Sequence, residues 1–196
     1  MIRFFDFIFS LMGILVLMPV FVVLYVAICM ESPGGGIYRQ KRVGRYGRDF
    51  FLYKFRSMRT GADKQGLITV GGRDPRITRM GYFIRKYKLD ELPQLFNVLF
   101  GDMSLVGPRP EVRKYVDLYT EEQKKVLSVR PGITDYASIE YVDENVILGA
   151  SDNPDKTYIE EIMPDKIRYN MKYINNQSVW EYFKVIFLTF KSIVCR

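Results

Sequence analysis

Residues 7–30 read FIFSLMGILVLMPVFVVLYVAICM, a run of 24 residues without a formal charge, flanked by Arg3 and Asp6 before it and Glu31 after it. As a helix the run is about 36 Å long, enough to cross a hydrocarbon core of roughly 30 Å. It is too long for the apolar core of a cleaved signal peptide, and Arg3 alone precedes it as a basic residue, so it reads as a membrane anchor. Pro19 lies in mid-run, where it removes a backbone hydrogen bond and kinks or breaks the helix. Each arm alone, 3–18 or 19–30, is about 24 or 18 Å long and cannot span. The segment is therefore either a kinked single span or a re-entrant pair of half-helices. Hydropathy favours the kinked span, because proline is tolerated in membrane helices. In both cases the basic residues that follow belong on the cytoplasmic side.

Charge is unevenly spread over the remaining chain. From Tyr38 to Lys88 there are 15 Lys or Arg against three acids, and from Glu111 to Asp165 there are 13 acids against six bases. A basic block after an apolar segment implies an anionic partner: phosphate, an anionic membrane surface or nucleic acid. Histidine is absent from all 196 residues, which removes Ser-His and Cys-His catalysis and every His-ligated metal. Cys29 and Cys195 are too few and too far apart in sequence for a zinc site or a disulfide framework. Chemistry must then use carboxylates, Lys or Arg, hydroxyls or a hard cation.

The rest reads as a small α+β domain. Ile37–Val43 and Phe50–Phe55 are expected as strands of a hairpin closed by Gly44-Arg45-Tyr46-Gly47. Residues 61–76 are polar and glycine-rich, hence a loop, mobile if it covers a ligand. Ile77–Tyr87 and Leu92–Phe100 are short helical candidates, Glu111–Val129 an exposed helix, and 136–165 an acidic irregular stretch. Residues 178–194 set Trp180, Phe183, Phe187, Phe190 and Val194 at helical spacing, with Lys184 and Lys191 along one edge. That pattern suits a core helix and a helix at the bilayer surface equally.

Asp90-Glu91-Leu92-Pro93 alone is an ordinary helix start, with Asp as N-cap and acids in the first turn. Its neighbours change the weighting. Arg85, Lys86 and Lys88 precede it, and Gly101-Asp102-Met103-Ser104-Leu105-Val106-Gly107-Pro108-Arg109-Pro110 follows. Two adjacent carboxylates ringed by cations can divide two tasks: one holds Mg²⁺ through oxygen, the other attacks phosphorus. Arginine suits phosphate because its planar fork binds bidentately.

These pieces resemble the bacterial sugar transferases, specifically the small monotopic phosphoglycosyl transferases that start lipid-linked glycan assembly. The resemblance rests on the apolar segment with central Pro19, residues 38–44 (YRQKRVG), 54–58 (KFRSM), Ile84-Arg85 followed by 89–95 (LDELPQL), 101–110 (GDMSLVGPRP) and 130–134 (RPGIT). It implies a re-entrant membrane helix broken at Pro19 in residues 1–32, reversing the preference that hydropathy gives. A cytosolic catalytic domain would follow over 33–196, with amphipathic surface helices, on the bacterial inner membrane. It also implies transfer of a sugar 1-phosphate from a UDP-sugar to a polyprenol (undecaprenyl) phosphate with release of UMP. By position, Asp90 would be the nucleophile of a covalent phosphosugar intermediate and Glu91 the Mg²⁺ ligand. Arg85 and Arg109 would grip phosphates, with Lys54, Arg56 and Arg130 as further candidates. The larger relatives add membrane helices in front of this domain, so the chain looks like a minimal form. The expected partners are the donor, the lipid acceptor and membrane lipid, with a homo-oligomer left open and no nucleic acid.

Past Thr134 the chain departs from the family pattern, reading Asp135-Tyr136-Ala137-Ser138. Two rivals stand beside this reading. A non-catalytic surface protein would explain the charge and the anchor, but not two carboxylates inside the basic block. A Mg²⁺-dependent phosphohydrolase, or a glycosyltransferase releasing UDP, would differ in its products.

Overall fold

The computed structural model describes residues 1–62, 74–141 and 144–194. α1 (Ile2–Glu31) is a continuous 30-residue helix. β1 (Ile37–Val43) and β2 (Asp49–Phe55) pair antiparallel, Ile37 opposite Phe55 and Val43 opposite Asp49. Their connection turns through left-handed backbone at Tyr46 (φ 58°) and Gly47 (φ 73°). α2 (Arg79–Lys86) is capped by Thr78, whose hydroxyl accepts the Gly81 N–H at 2.9 Å. A 3₁₀ turn (Leu89–Glu91) leads to α3 (Gln94–Phe100). β3 (Ser104–Val106), α4 (Arg113–Val116), a 3₁₀ segment (Gln123–Ser128) and β4 (Gly132–Thr134) come next. α5 (Tyr136–Glu140), α6 (Glu144–Gly149), α7 (Pro154–Thr157), a π-helical turn (Tyr158–Ile162), α8 (Met163–Asn175) and α9 (Val179–Val194) complete the chain. Residues 63–73 of the expected 61–76 loop, Cys195, and the side chain of Val194 lie outside the described residues.

α1 is long and apolar enough to cross a membrane, with a mean hydropathy of 2.8 in its best window. Asp6, Ser10, Ile14, Phe21, Leu24 and Ile28 form its buried stripe, while Met12, Leu15, Val16, Val22 and Val23 are exposed. The expected break at Pro19 does not interrupt the helix. Proline removes the one bond to the Leu15 carbonyl without ending the helix, and a helix can bend at such a position.

Both ends of α1 are tied to the same body. Arg3 donates to the carbonyls of Val98 and, at 2.8 Å, Leu99, at the end of α3. Asp6, 1% exposed, accepts from Ser104 Oγ, Leu105 N and Tyr182 Oη, each at 2.9 Å. At the other end Glu31 accepts the backbone N–H groups of Arg79 (2.7 Å) and Met80 (2.9 Å), filling the open donors of the α2 N-terminus. Between them Phe21, Leu24 and Ile28 share a core with Phe55 and Ile84.

Two expectations change. Glu111–Val129 is not one exposed helix. Thr120 and Gln123 cap each other reciprocally, Gln123 Oε1 taking the Thr120 N–H at 2.9 Å and Thr120 Oγ1 the Gln123 N–H at 3.2 Å. That box starts a second helical segment and stops the first. Val112, Tyr115, Val116, Tyr119 and Val126 are buried against Val43, Tyr158 and Ile162. Among the described residues of 136–165, α5, α6, α7, the π-helical turn and the start of α8 replace the expected irregular stretch. Asp135 caps α5 through the Ser138 N–H (2.6 Å), and Asn153 caps α7 through the Lys156 N–H (3.1 Å) with Pro154 at the first position. These helices are too short to show a period in sequence.

β3 and β4 pair in parallel, Ser104 opposite Gly132 and Val106 opposite Thr134, and bring Gly107, directly after β3, against Gly132 at the start of β4. A Cβ on Gly132 would lie 2.1 Å from Gly107 N, and one on Gly107 would lie 2.4 Å from the Arg130 carbonyl. The Gly132 N–H then reaches the Pro108 carbonyl at 2.9 Å and fixes the base of the Arg109 turn.

Candidate active site

Three elements converge on Glu91. Lys54 comes from β2, Glu91 from the 3₁₀ turn, and Arg109 from the proline-flanked turn after β3. Lys54 Nζ donates to Glu91 Oε1 at 3.0 Å, Arg109 Nη1 to Oε2 at 3.2 Å, and Arg109 Nη2 to Oε1. Both oxygens of Glu91 are engaged. Asp90, the preceding residue, is 7% exposed, and its carboxylate makes no hydrogen bond or ion pair with a described residue.

Local geometry gives the two carboxylates different surroundings. Lys88 takes left-handed backbone (φ 56°), a costly conformation for a side-chain-bearing residue, and turns the chain into the 3₁₀ segment. Asp90 is therefore inside that turn and does not cap α3, which starts at Gln94 after Pro93. Asn97, fully buried, accepts the Tyr53 N–H at 2.9 Å and donates to the Phe51 carbonyl at 2.7 Å. It fastens β2, and so Lys54, to α3. Asp135, 1% exposed, accepts the Arg109 backbone N–H at 3.1 Å.

The electrostatics diverge across one peptide bond. Burial pushes the Asp90 carboxyl above its ordinary value, aided by the charge of Glu91 and opposed by Lys54, Arg85 and Arg109. Burial pushes Glu91 the same way, but contact with Arg109 and Lys54 outweighs it and holds the carboxyl well below the usual range. Glu91 in turn raises Arg109, while burial lowers Lys54.

Asp90, Glu91, Lys54 and Arg109 are thus brought together. Arg85 lies near, in the last turn of α2, with Nη1 3.5 Å from Ser57 Oγ. Arg56 and Arg130 are not brought to Glu91 and contact backbone carbonyls elsewhere. Arg56 donates to the carbonyls of Ile28 (3.3 Å), Ser32 (2.8 Å), Pro33 and Gly34 (3.4 Å), closing the C-terminus of α1. Its planar fork suits converging carbonyls as well as phosphate. Arg56→Lys should therefore lower the unfolding free energy by about 2 kcal/mol, read from thermal or denaturant melting. A phosphate ligand would leave the midpoint unchanged. Arg130 Nε donates to the Gly101 carbonyl at 2.8 Å, and Arg130 lines a separate cavity with Arg3, Arg45 and Gln177. Sequence reasoning does not mark Asn97 or Asp135 as supports of the site, although Asp135-Tyr136-Ala137-Ser138 carries an N-cap signal.

A magnesium ion fits this donor set in one way. Among the described residues no group of three or more Asp, Glu or Cys side chains forms a metal cage. Mg²⁺ ordinarily takes one or two carboxylates and completes its shell with water and substrate phosphates. Glu91 can supply such a carboxylate once Arg109 releases an oxygen to a phosphate.

The chain matches the family described as bacterial sugar transferase over residues 1–196. It is 39% identical over 192 residues to the UDP-N-acetylgalactosamine-undecaprenyl-phosphate N-acetylgalactosaminephosphotransferase of Aeromonas hydrophila, covering 96% of this chain and 42% of that protein. It is 39% identical over 203 residues to the galactosyl transferase CpsE of Streptococcus agalactiae serotype III (strain NEM316), covering 98% and 42%. It is 35% identical over 193 residues to the UDP-glucose:undecaprenyl-phosphate glucose-1-phosphate transferase of Escherichia coli (strain K12), covering 96% and 39%. The chain spans about two fifths of the length of these relatives. With the match running over the full sequence, the chain belongs to the bacterial sugar transferase family.

Proposed function

We propose that the chain transfers a sugar 1-phosphate from a UDP-sugar to a polyprenol phosphate and releases UMP. The observation that carries the mechanism is the inequality of the two carboxylates, one clamped by two cations and the other buried and unengaged by any described residue. Asp90 attacks the phosphorus that bears the sugar. The bond from that phosphorus to the bridging oxygen breaks, and UMP leaves with the oxygen and its electron pair. The sugar phosphate is then an acyl phosphate on Asp90. A phosphate oxygen of the polyprenol phosphate attacks the same phosphorus, and the Asp90–phosphorus bond breaks to restore the carboxylate. An ionised carboxylate needs no general base, so the lack of histidine is no obstacle. Arg109 and Lys54 supply fixed positive charge for the phosphate oxygens, and Arg85 lies within electrostatic reach. Glu91 would hold Mg²⁺, whose positive charge would stabilise the leaving UMP.

The placement of α1 supports a monotopic, re-entrant reading. Its first turn and its last turn both hydrogen-bond to one body, which suits entry and exit on one face of the bilayer. α9 supports a surface role for its aromatic side. Phe183 packs on Phe5 and Phe9 of α1 (5.2 and 6.1 Å between centroids), and Trp180, Phe187 and Phe190 are exposed beyond it. Tyr182 and Val185 on the other side are fully buried, so α9 serves the core as well. The catalytic residues then face the cytoplasm at headgroup level on the bacterial inner membrane.

Product analysis tests the reaction. Enzyme in nanodiscs with Mg²⁺, undecaprenyl phosphate and a panel of UDP-sugars should release UMP. Release of UDP, or of free sugar phosphate without acceptor, overturns the proposal. Chelation by EDTA should abolish release, and added Mg²⁺ should restore it.

A further inference from the structure

Glu111 directly follows the Pro108-Arg109-Pro110 turn, and its side chain is where three parts of the chain meet. Tyr158 Oη donates to Glu111 Oε1, Lys166 Nζ lies 3.7 Å from Oε1, and Arg42 Nη1 lies 3.7 Å from Oε2. Arg42 also donates to the Pro110 carbonyl at 3.0 Å, and the Val43 N–H reaches the Glu111 carbonyl at 2.9 Å. Lys166 is completed by Glu144 Oε2 at 3.0 Å. The side chains are largely withdrawn from water, Glu111 being 13% and Lys166 10% exposed. Arg42 and Lys166 balance Glu111 and Glu144, as a buried cluster requires.

Tyr158 opens the π-helical turn, a rare geometry that recurs where a helix must re-aim a side chain. Its ring is held against Tyr115 at 4.8 Å, and burial beside Glu111 keeps its phenol protonated and donating. We propose that Tyr158 and Lys166 are positioning residues for Arg109: by holding Glu111 they fix the turn and set the guanidinium against Glu91. Two prolines stiffen φ on either side of Arg109, so movement at Glu111 is transmitted to it. The acidic helical stretch after Thr134 thereby serves the site without a hydrogen bond to Asp90 or Glu91. This rests on the catalytic reading above.

Tyr158→Phe removes one hydroxyl and keeps the ring. In the full chain in nanodiscs, kcat for UMP release should fall about tenfold, since misplacement of a charge-stabilising group acts on the transition state. In an Arg109→Lys background the same change should cost less than about twofold, because the group it positions is gone. Lys166→Met should also lower kcat, and Lys166→Arg should recover most of it. Independently of activity, amide hydrogen exchange at Gly107 and Arg109 should speed up about tenfold in Tyr158→Phe while β1–β2 amides stay unchanged. Losses that simply add in the double variant overturn the proposal. Unchanged exchange at Gly107 and Arg109 overturns it whatever the activity. Absence of UMP release from wild type would sink the catalytic reading instead, and exchange would still decide whether Tyr158 holds the turn.

Discussion

Asp90→Asn should reduce UMP release by roughly 10³-fold or more, and the variant should melt at the same or a higher temperature at neutral pH. The amide is isosteric but cannot attack phosphorus, so no phosphosugar adduct should appear by intact mass. The stability half follows from burial. The folded state raises the Asp90 carboxyl, mainly by desolvation, so it holds a proton more tightly than the unfolded chain does. Ionising Asp90 therefore costs stability as pH rises above its unfolded value and through its raised folded one. A neutral Asn relieves that cost at pH 7, and the difference should vanish in acid. The same shift sets the acid limb of activity. kcat/KM should fall at a pH above the ordinary aspartate value of 3.8. Full activity in Asp90→Asn would sink the covalent mechanism.

Glu91→Gln should lower kcat about 10²- to 10³-fold and destabilise the fold by about 2–3 kcal/mol. Glutamine keeps one carbonyl oxygen and loses the charge that Lys54 and Arg109 both face. Breaking a fully buried pair costs more, but the Arg109 side chain is 33% exposed and water partly screens it. The pH dependence has the opposite sign to that of Asp90. Because the folded state depresses the Glu91 carboxyl, its contribution is present above the unfolded value of 4.5. It is lost only as pH falls through the much lower folded value. The wild-type advantage over Glu91→Gln should thus persist through mildly acidic pH. Denaturant melts at several pH values check it, and equal stability across that range would show that the clamp contributes nothing.

Together these variants separate two carboxylates that adjoin in sequence. One should trade activity for stability, and the other should lose both. That contrast accompanies one residue of offset on a 3₁₀ turn entered through Lys88, where Glu91 contacts Lys54 and Arg109 directly and Asp90 feels them only at longer range.

Much of this is legible in the order of the amino acids. The charge-free run of 7–30 declares a membrane-seeking helix, and the β1–β2 hairpin follows from strand-forming residues flanking a Gly-bounded turn. The short motifs carry the family and the Asp-Glu pair. All of these are local signals, made by near neighbours in sequence through backbone sterics, side-chain period and turn chemistry. The short helices α5, α6 and α7 are not legible, because one or two turns leave no period to read, whereas the longer α9 shows its spacing in the sequence. Thr120–Gln123 hides its capping box inside a stretch that looks continuously helical. Nor does a list of arginines say what each of them contacts. Arg56 closes the end of α1 and Arg130 reaches Gly101, while Arg109 finds Glu91 18 residues away and Lys54 finds it 37 away. Sequence alone determined the kind of protein and the residues available for its chemistry. The different surroundings of Asp90 and Glu91, and the binding of both ends of α1 to one body, were decided by tertiary packing. Desolvation and ion pairing depend on what surrounds a group in space, and no periodicity along the chain encodes that.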